Sequence, residues 1–558
     1  MELSGLVIGV AGIVLAFKGA IDAALLIETF LDDGKKSCGY LALRYLIEKT
    51  RLQLWGTLVQ ADGTFKEDDC LLLDRPEYVK KLVVGILAEI QELVKDAEKL
   101  VTKYDIATPQ QPAQKSFNVD ESLRNAVVSP TSQSSNLRFK PQKRFMWQIK
   151  GKEEFEETVV KFGMLVDKLE SITLDPAKSH LLTQAVAPKA LVQINNPQLL
   201  QILDDPQNSV DSILAASARI KLFQATFSPL STSVPDIMDK DRFKLFNESD
   251  KFGSFQDQGS RFPVWVEWNV VEANHAARQY VKRITWLGQL LKQISEPALR
   301  LPKCHGMFED HEYEIKFGER KIGYLFSPPA PSPTQSGQRA YESNLKKFPP
   351  KSLRELIIAR QSSSDIPNLG DRFNLALVLA VAFSHFHAAG WLHKGLHSGN
   401  ILFLHHVDDD SVAGPSLSIS EPFISGFQFS RPQQEASLSK GPLEDTKLEQ
   451  YYHPEAHKGF TKQRDLYSLG VVLVEIGRWA LVESVSESTR RKLKDRNAWQ
   501  KYLLAKHVPE LGWRMGRRYQ SVTRTLLQGG LPDDDDDDVL FEQEYFNKVL
   551  QPLSSNTA

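Results

Sequence analysis

Cysteine is scarce in this chain: Cys38, Cys70 and Cys304 are its only three, and no two stand in a C-x-x-C spacing. A disulfide framework and a cysteine-built zinc site are thereby excluded, and a reducing, cytoplasmic compartment is expected. Charge of one sign is scarce as well. Lys and Arg number 68 against 70 Asp and Glu, a net charge of −2, so nucleic acid is not expected as a partner. Basic residues are missing ahead of the apolar N-terminus, where Glu2 stands, which is unlike a secretory leader. An uncharged run of about 20 residues, as a spanning helix needs, is missing too. Leu3 to Phe17 carries no charge, but extension to Ile27 takes in Lys18 and Asp22.

What is present is ample material for folded cores: 558 residues, 42% hydrophobic and 25% charged, enough for two to four domains. Long helical patterns fill the first 225 residues, from Leu6 to Phe30, Tyr40 to Val59, after Pro76, around Phe155 to Leu169, and from Asn196 to Gln224. In the third, Val79, Val83, Ile86, Ile90, Leu93, Ala97 and Leu100 repeat at helical spacing and predict one buried stripe of a bundle. A Pro/Gln/Ser-rich stretch, residues 107–142, reads as a loop. The expected organisation is a helical domain over 1–225, a linker over 226–255 and an α+β domain over 256–555. In that last part apolar alternation (PVWVEW, KIGYLF) comes first and long apolar helices follow. The aspartate run Asp533 to Asp538 reads as a solvated loop rather than a metal site.

Chemistry-bearing motifs cluster in the C-terminal half. WLHKGLHSGNILF, Trp391 to Phe403, follows a long apolar helix; FISGFQFSRP, YYHPEA and DLYSLG come after it in order. Together they resemble a protein kinase over roughly Arg261 to Leu553, and the resemblance implies a two-lobed α+β fold. His393 and Asn400 match the catalytic loop, Pro454 and Glu455 the end of the activation segment, and Asp465 and Gly470 the start of the central helix. The departures fall on the chemistry. Gly395 stands where the catalytic aspartate belongs, and Gly426, followed by Phe427 and Gln428, where a magnesium-binding aspartate belongs. Asn269 occupies the phosphate-binding lysine position, with Lys282 nearby, and FGSFQDQGS is a poor substitute for a phosphate-covering glycine loop. The resemblance implies scaffold roles for the retained residues: Asp465 tying down the loop backbone, and Glu455 pairing with Arg514, Arg517 or Arg518. It leaves ATP and magnesium without their usual ligands, so no cofactor is expected. A pseudokinase is the leading reading. An atypical ATP-binding kinase and a non-enzymatic scaffold stay open beside it.

The opening segment, EKTRLQLWGTLVQADG (Glu48 to Gly63) and FMWQIKGKEEFEETVVKFGMLVDKL (Phe145 to Leu169) are similar to the HeLo domain, the fungal prion-inhibition and propagation domain. Arg51, Trp55 and Gly56, and Trp147, Ile149 and Lys150, carry that similarity. It implies a fungal cell-death protein of the heterokaryon-incompatibility type, whose N-terminal helix leaves a bundle and enters a membrane conditionally. Leu3, Gly5, Gly9, Val10, Gly12 and Phe17 mark the segment that would do so. Other signalling proteins and self-association are the expected partners.

Overall fold

A computed structural model describes residues 10–31, 36–62, 70–103, 151–205, 211–226, 237–238, 242–246, 251–257, 259–271, 277–294, 296–327, 347–406, 416–427, 430–432, 448–484, 493, 495–532 and 537–556. The expected loop at 107–142, Trp147, Ile149, Lys150, Gln428, and Leu3, Gly5 and Gly9 lie outside the described residues. The chain forms two compact units, 1–175 and 176–558.

The N-terminal unit holds α1 (Val10–Leu31), α2 (Lys36–Leu58), α3 (Glu77–Lys103) and α4 (Lys152–Thr173). α1 packs on α3 and α2, and α4 on α2 and α3. The stripe of α3 is buried at Val79, Val83, Ile86, Ile90, Val94 and Ala97. Leu93, expected in it, is half-buried and Val94 takes its place, as a 3.6-residue rather than a 3.5-residue repeat dictates. Phe17 of α1 fits over Gly56 of α2: a Cβ on Gly56 would stand 2.2 Å from the Phe17 ring. The same ring lies 5.9 Å from that of Trp55, whose Nε1 donates to Thr173 Oγ1 at 2.8 Å. Arg51 ties α2 to α4 through Asp167 at 2.6 Å and Glu170 at 2.7 Å, with Glu48 at 2.9 Å on its own helix. Among the described residues, no helix is long and apolar enough to cross a membrane.

The C-terminal unit begins with α5 (Pro176–Leu191), α6 (Pro197–Asp204) and α7 (Ser212–Thr226). Asn196 caps α6 by accepting from Gln198 N at 2.9 Å, ahead of Pro197 at the first helical position. A five-stranded antiparallel sheet follows: β1 (Phe243–Leu245), β2 (Phe252–Asp257), β3 (Ser260–Val271), β4 (Lys303–Glu309) and β5 (Arg320–Ser327), in the order β1-β2-β3-β5-β4. Between β3 and β4 runs α8 (Ala277–Gln293), which packs on both strands; Tyr324 Oη donates to Ile284 O on it at 2.8 Å. Val264 and Val266 enter the cluster of Met238, Phe243, Phe255, Phe308 and Leu325 on one face of the sheet. By the strand's two-residue period, Trp265, Glu267 and Asn269 face the other way.

The remaining helices are α9 (His311–Phe317), α10 (Leu353–Ile358), α11 (Leu369–Ala388), α12 (Lys462–Arg478), α13 (Arg496–Tyr502), α14 (Val508–Arg514), α15 (Gly516–Gln528), α16 (Asp538–Tyr545) and α17 (Gln551–Ser554), and among the described residues three small antiparallel sheets of two or three short strands lie between them. α11 and α12 are the buried centre of this part. Gly470 lets α12 and α15 cross closely, since a Cβ there would meet Leu526 and Leu527 at 3.1 Å.

Two expected boundaries move. The segment 226–255, read as a linker, contains β1 and the start of β2. Its FGSFQD run has little strand character of its own, but it pairs in register with the apolar β3, Phe252 opposite Trp265 and Phe255 opposite Phe262. The helical domain expected to reach residue 225 has its last three helices, α5–α7, inside the C-terminal unit.

Candidate functional site

Thr461 caps α12, its Oγ1 accepting from Arg464 N at 3.3 Å, and so presents Asp465 at the helix start. Asp465 is buried beneath the loop that follows α11. Its Oδ1 accepts from Lys394 N at 2.7 Å, and its Oδ2 from His393 N at 2.9 Å and His387 Nε2 at 3.0 Å. Burial raises this carboxyl's pKa, but the His387 hydrogen bond and the neighbouring histidines outweigh it and hold the group below its ordinary value. These bonds hold Lys394 in left-handed backbone, φ 63°, a conformation unusual for a residue with a side chain.

His393 is fully buried. Its Nε2 donates to Ser425 O at 3.0 Å, and its Nδ1 accepts from Gly395 N at 3.3 Å. That pairing requires a neutral ring, and burial lowers its pKa accordingly. The Phe427 ring stands edge-on to it at 5.0 Å. The loop at 393–400 is thus joined to the segment 425–427 through one imidazole.

Gly395 is buried and offers only backbone: its carbonyl accepts from Asn400 Nδ2 at 2.8 Å. Gly426 lies in left-handed backbone, φ 82°, and a Cβ on it would stand 2.1 Å from Asn400 Nδ2. The space beside Gly426 is therefore filled by the Asn400 amide. From the opposite side, Glu267 Oε2 accepts from Gly426 N at 2.9 Å, with Ser425 and the Phe427 backbone also within its reach. Its Oε1 is out of contact with solvent and has no hydrogen-bond partner. Burial pushes the Glu267 carboxyl up to about 7, against these hydrogen bonds and the weaker pull of Lys251.

Sequence reasoning missed Glu267. Asn269, expected at the lysine position, stays within the sheet, its Nδ2 donating to Ile322 O at 3.3 Å opposite it in register. The residue of β3 that reaches the 426 loop is two positions earlier. PVWVEWN carries a signal for it, since an acid on the buried face of an apolar strand needs a partner. Lys282 is exposed on α8. The β1–β2 connection runs Phe246 to Lys251, Phe-Asn-Glu-Ser-Asp-Lys, without a glycine.

Glu455 departs from expectation. It is half-exposed and pairs with Lys458 at 2.6 Å and Arg464 at 3.2 Å, which hold its carboxyl below the usual range. Of the arginines expected to hold it, Arg514 stands 4.0 Å from Glu510 and Arg518 donates to Ser555 O at 2.8 Å. Arg464 is nearer in sequence, on the first turn of α12, and reaches Glu455 first. Pro454 is buried, and its carbonyl accepts from His457 Nδ1 at 3.1 Å. The buried acid in this region is Glu475, which accepts from Tyr451 Oη at 2.8 Å and Val482 N at 3.0 Å; burial pushes it up to about 7. Tyr451 Oη also meets Ser398 Oγ at 3.2 Å, tying α12 to the 393–400 loop. Elsewhere, Glu309, His311 and Glu314 approach one another closely enough to share an ion, but Arg320 already holds Glu309 at 2.5 Å and 2.8 Å. Of the aspartate run, Asp538 is paired with the buried Lys462.

Residues 5–203 match the HeLo family model, described as prion-inhibition and propagation. The match covers the N-terminal unit and runs through α5 and most of α6 in the C-terminal unit. Residues 324–520 match a second model, a domain of unknown function (DUF7580), which takes in the end of β5, α11, the 393–400 loop and α12. The structure of vaccinia related kinase 3 is similar at 15% identity, over 61% of this chain and 99% of that one, with a TM-score of 0.34. Another crystallised kinase domain is similar at 12% identity, over 57% of this chain and 98% of that one, with a TM-score of 0.33. No curated protein matches the chain.

Proposed function

We propose that this chain is a fungal signalling protein of the cell-death, incompatibility type. Its HeLo region is a membrane-active effector, and its kinase-like unit is a catalytically silent control element. The chain acts in the cytoplasm, is recruited to membranes conditionally, and engages other signalling proteins and further copies of itself.

One observation carries the silent-kinase reading: the place beside Gly426 is occupied by the chain's own side chains. Phosphoryl transfer depends on carboxylates that hold metal and orient the acceptor hydroxyl. Gly395 and Gly426 supply none, the Asn400 amide is committed to Gly395 O, and Glu267 closes the other side. These residues do not fit a magnesium-bound nucleotide. The buried carboxyl of Glu267 would face the nucleotide's phosphates as a like charge if ionised. The scaffold residues His393, Asp465 and Gly470 keep packing and hydrogen-bonding work, which a docking or switching surface needs.

The effector reading is supported by the HeLo match and by α1, where Phe17 is seated over Gly56. Such a packed helix is available for conditional release. The test is toxicity on expression in a filamentous fungus and dye release from liposomes, for the full chain and for forms lacking residues 1–20 or carrying Val10→Glu. Charge at a bilayer centre costs at least about 2.5–3.5 kcal/mol, so both changes should abolish toxicity and leakage. Equal activity in all three would overturn the effector reading. For the kinase-like unit, incubation with labelled ATP and magnesium or manganese should give no transfer; incorporation lost on Asn400→Ala would overturn it.

A further inference from the structure

We propose that residues 176–226 are a docked brace of the C-terminal unit. Seated through Phe223 on Trp286, the brace sets the position of α8 and of the 393–400 loop, and its release loosens both. The inference rests on the control-element reading above and names the part of the chain through which control would pass.

α5 is buried on most of its circumference: Leu181, Leu182, Ala185, Val186, Lys189 and Ala190 are all out of solvent. Its C-terminal half, Ala185 to Leu191, is buried without a break and so belongs to the core that surrounds it. Here those neighbours are α11, α7, α16 and α17. Lys189 shows that the seat is specific. This buried ammonium donates to Gln543 Oε1 of α16 and lies 5.5 Å over the Phe546 ring, two contacts to the C-terminal segment. Away from that seat the buried charge would lose these partners.

α7 carries the seat to α8 and to the turn before the 393–400 loop at three points. Arg219 Nη1 donates to Gln293 O at 2.7 Å, placing a cation on the C-terminal carbonyl of α8, while its Nε holds Asp204 of α6 at 2.6 Å. The Phe223 ring lies 5.0 Å from Trp286 in α8, and Trp286 stacks on Trp391 at 5.4 Å with 19° between planes. Trp391 opens the Trp391–Asn400 loop. Gln224 covers Gly390, the turn before that loop: a Cβ there would stand 2.9 Å from Gln224 Oε1. Packed interiors respond to displacement by discrete shifts, so a column of three rings ties brace, helix and loop to one arrangement.

The test uses the full chain with two protease sites inserted, one between Asp175 and Pro176 and one between Thr226 and Ile237. After complete cleavage, the 176–226 piece should co-elute with 237–558 at micromolar concentration. A piece that elutes free would overturn the brace. In the uncut chain, Phe223→Ala should speed amide hydrogen exchange about tenfold over 277–293 and 391–400, and leave 516–528 unchanged; tenfold corresponds to about 1.4 kcal/mol of local opening. Faster exchange confined to α7 would overturn the coupling. If Phe223→Ala does not fold, Arg219→Gln, whose side chain is partly exposed, is read in the same way. Neither readout involves membranes or nucleotide, so either can fail while the effector and silent-kinase readings stand.

Discussion

Glu267 Oε2 accepts the backbone N–H of Gly426 at 2.9 Å. A carboxyl from the sheet thus holds the loop at 425–427. The group stays largely protonated up to about pH 7 because its surroundings are dry. An acid whose native pKa is raised stabilises the fold fully below its unfolded value of 4.5, and that contribution is lost as pH rises through about 7. Glu475 and Glu542 behave alike, whereas His305, His385, His453 and His507, lowered to about 4, favour the fold as pH rises from about 4 to 6.5. The Glu267 contribution is therefore read as a difference. Glu267→Gln keeps an acceptor for Gly426 N and cannot ionise. Its melting temperature should gain on wild type as pH goes from 5 to 8; parallel curves would show that Glu267 is not buried as described.

Placing an acid at 426 should harm rather than help. In Gly426→Asp the Cβ would collide with Asn400 Nδ2, and an L residue would be forced to φ 82°. The Asn400–Gly395 bond must break to make room. Strain of this kind costs about 1–3 kcal/mol, so thermal denaturation should show a lowered midpoint, with labelled ATP still giving no transfer. A gain of phosphoryl transfer by Gly426→Asp with Gly395→Asp would mean the space beside Gly426 opens more readily than its packing implies.

Asp465 and Glu455 should differ sharply. Asp465 is buried and takes three hydrogen bonds, so Asp465→Ala leaves two backbone N–H groups and His387 unpaired, at a cost of roughly 3–5 kcal/mol. Glu455 is half-exposed, and Glu455→Ala should change stability by at most about 1 kcal/mol. Chemical denaturation of the full chain separates the two; equal losses would show that Glu455 has a buried role that its exposure hides.

The Phe17–Gly56 contact is testable by a double-mutant cycle. Gly56→Ala places a methyl 2.2 Å from the Phe17 ring and should destabilise the N-terminal unit by about 1–3 kcal/mol, as overpacking does. Phe17→Ala makes room for that methyl, so the double variant should lose less than the sum of the singles. Additive losses would show that α1 does not seat there.

The helices of the N-terminal unit were legible because their apolar spacing is long and regular, and α2, α3 and α4 lie where Tyr40–Val59, the run after Pro76 and Phe155–Leu169 predicted them. Asp465 was legible for a related reason: its role is local to a capped helix start beside a recognisable loop. Glu455 was misread because its partner is chosen by reach, and Arg464 on the adjoining turn is closer than the distant arginines.

Sequence alone determined which residues could bear chemistry here. Glycine at 395 and 426 has no side chain in any fold, and no arrangement can supply a carboxylate from those positions. It also determined where long helices form, because periodicity is a property of the chain. Tertiary structure alone decided what fills the vacated places and which unit owns each helix. Asn400 and Glu267 enter the space beside Gly426 only because β3, the 393–400 loop and the 425–427 segment converge there from distant parts of the chain. α5, apolar enough for any helical core, is buried against α11 and the C-terminal helices rather than within the bundle that precedes it. Burial of an apolar helix is non-directional; shape and the satisfaction of one buried lysine select the seat, and neither is written in the spacing of its leucines.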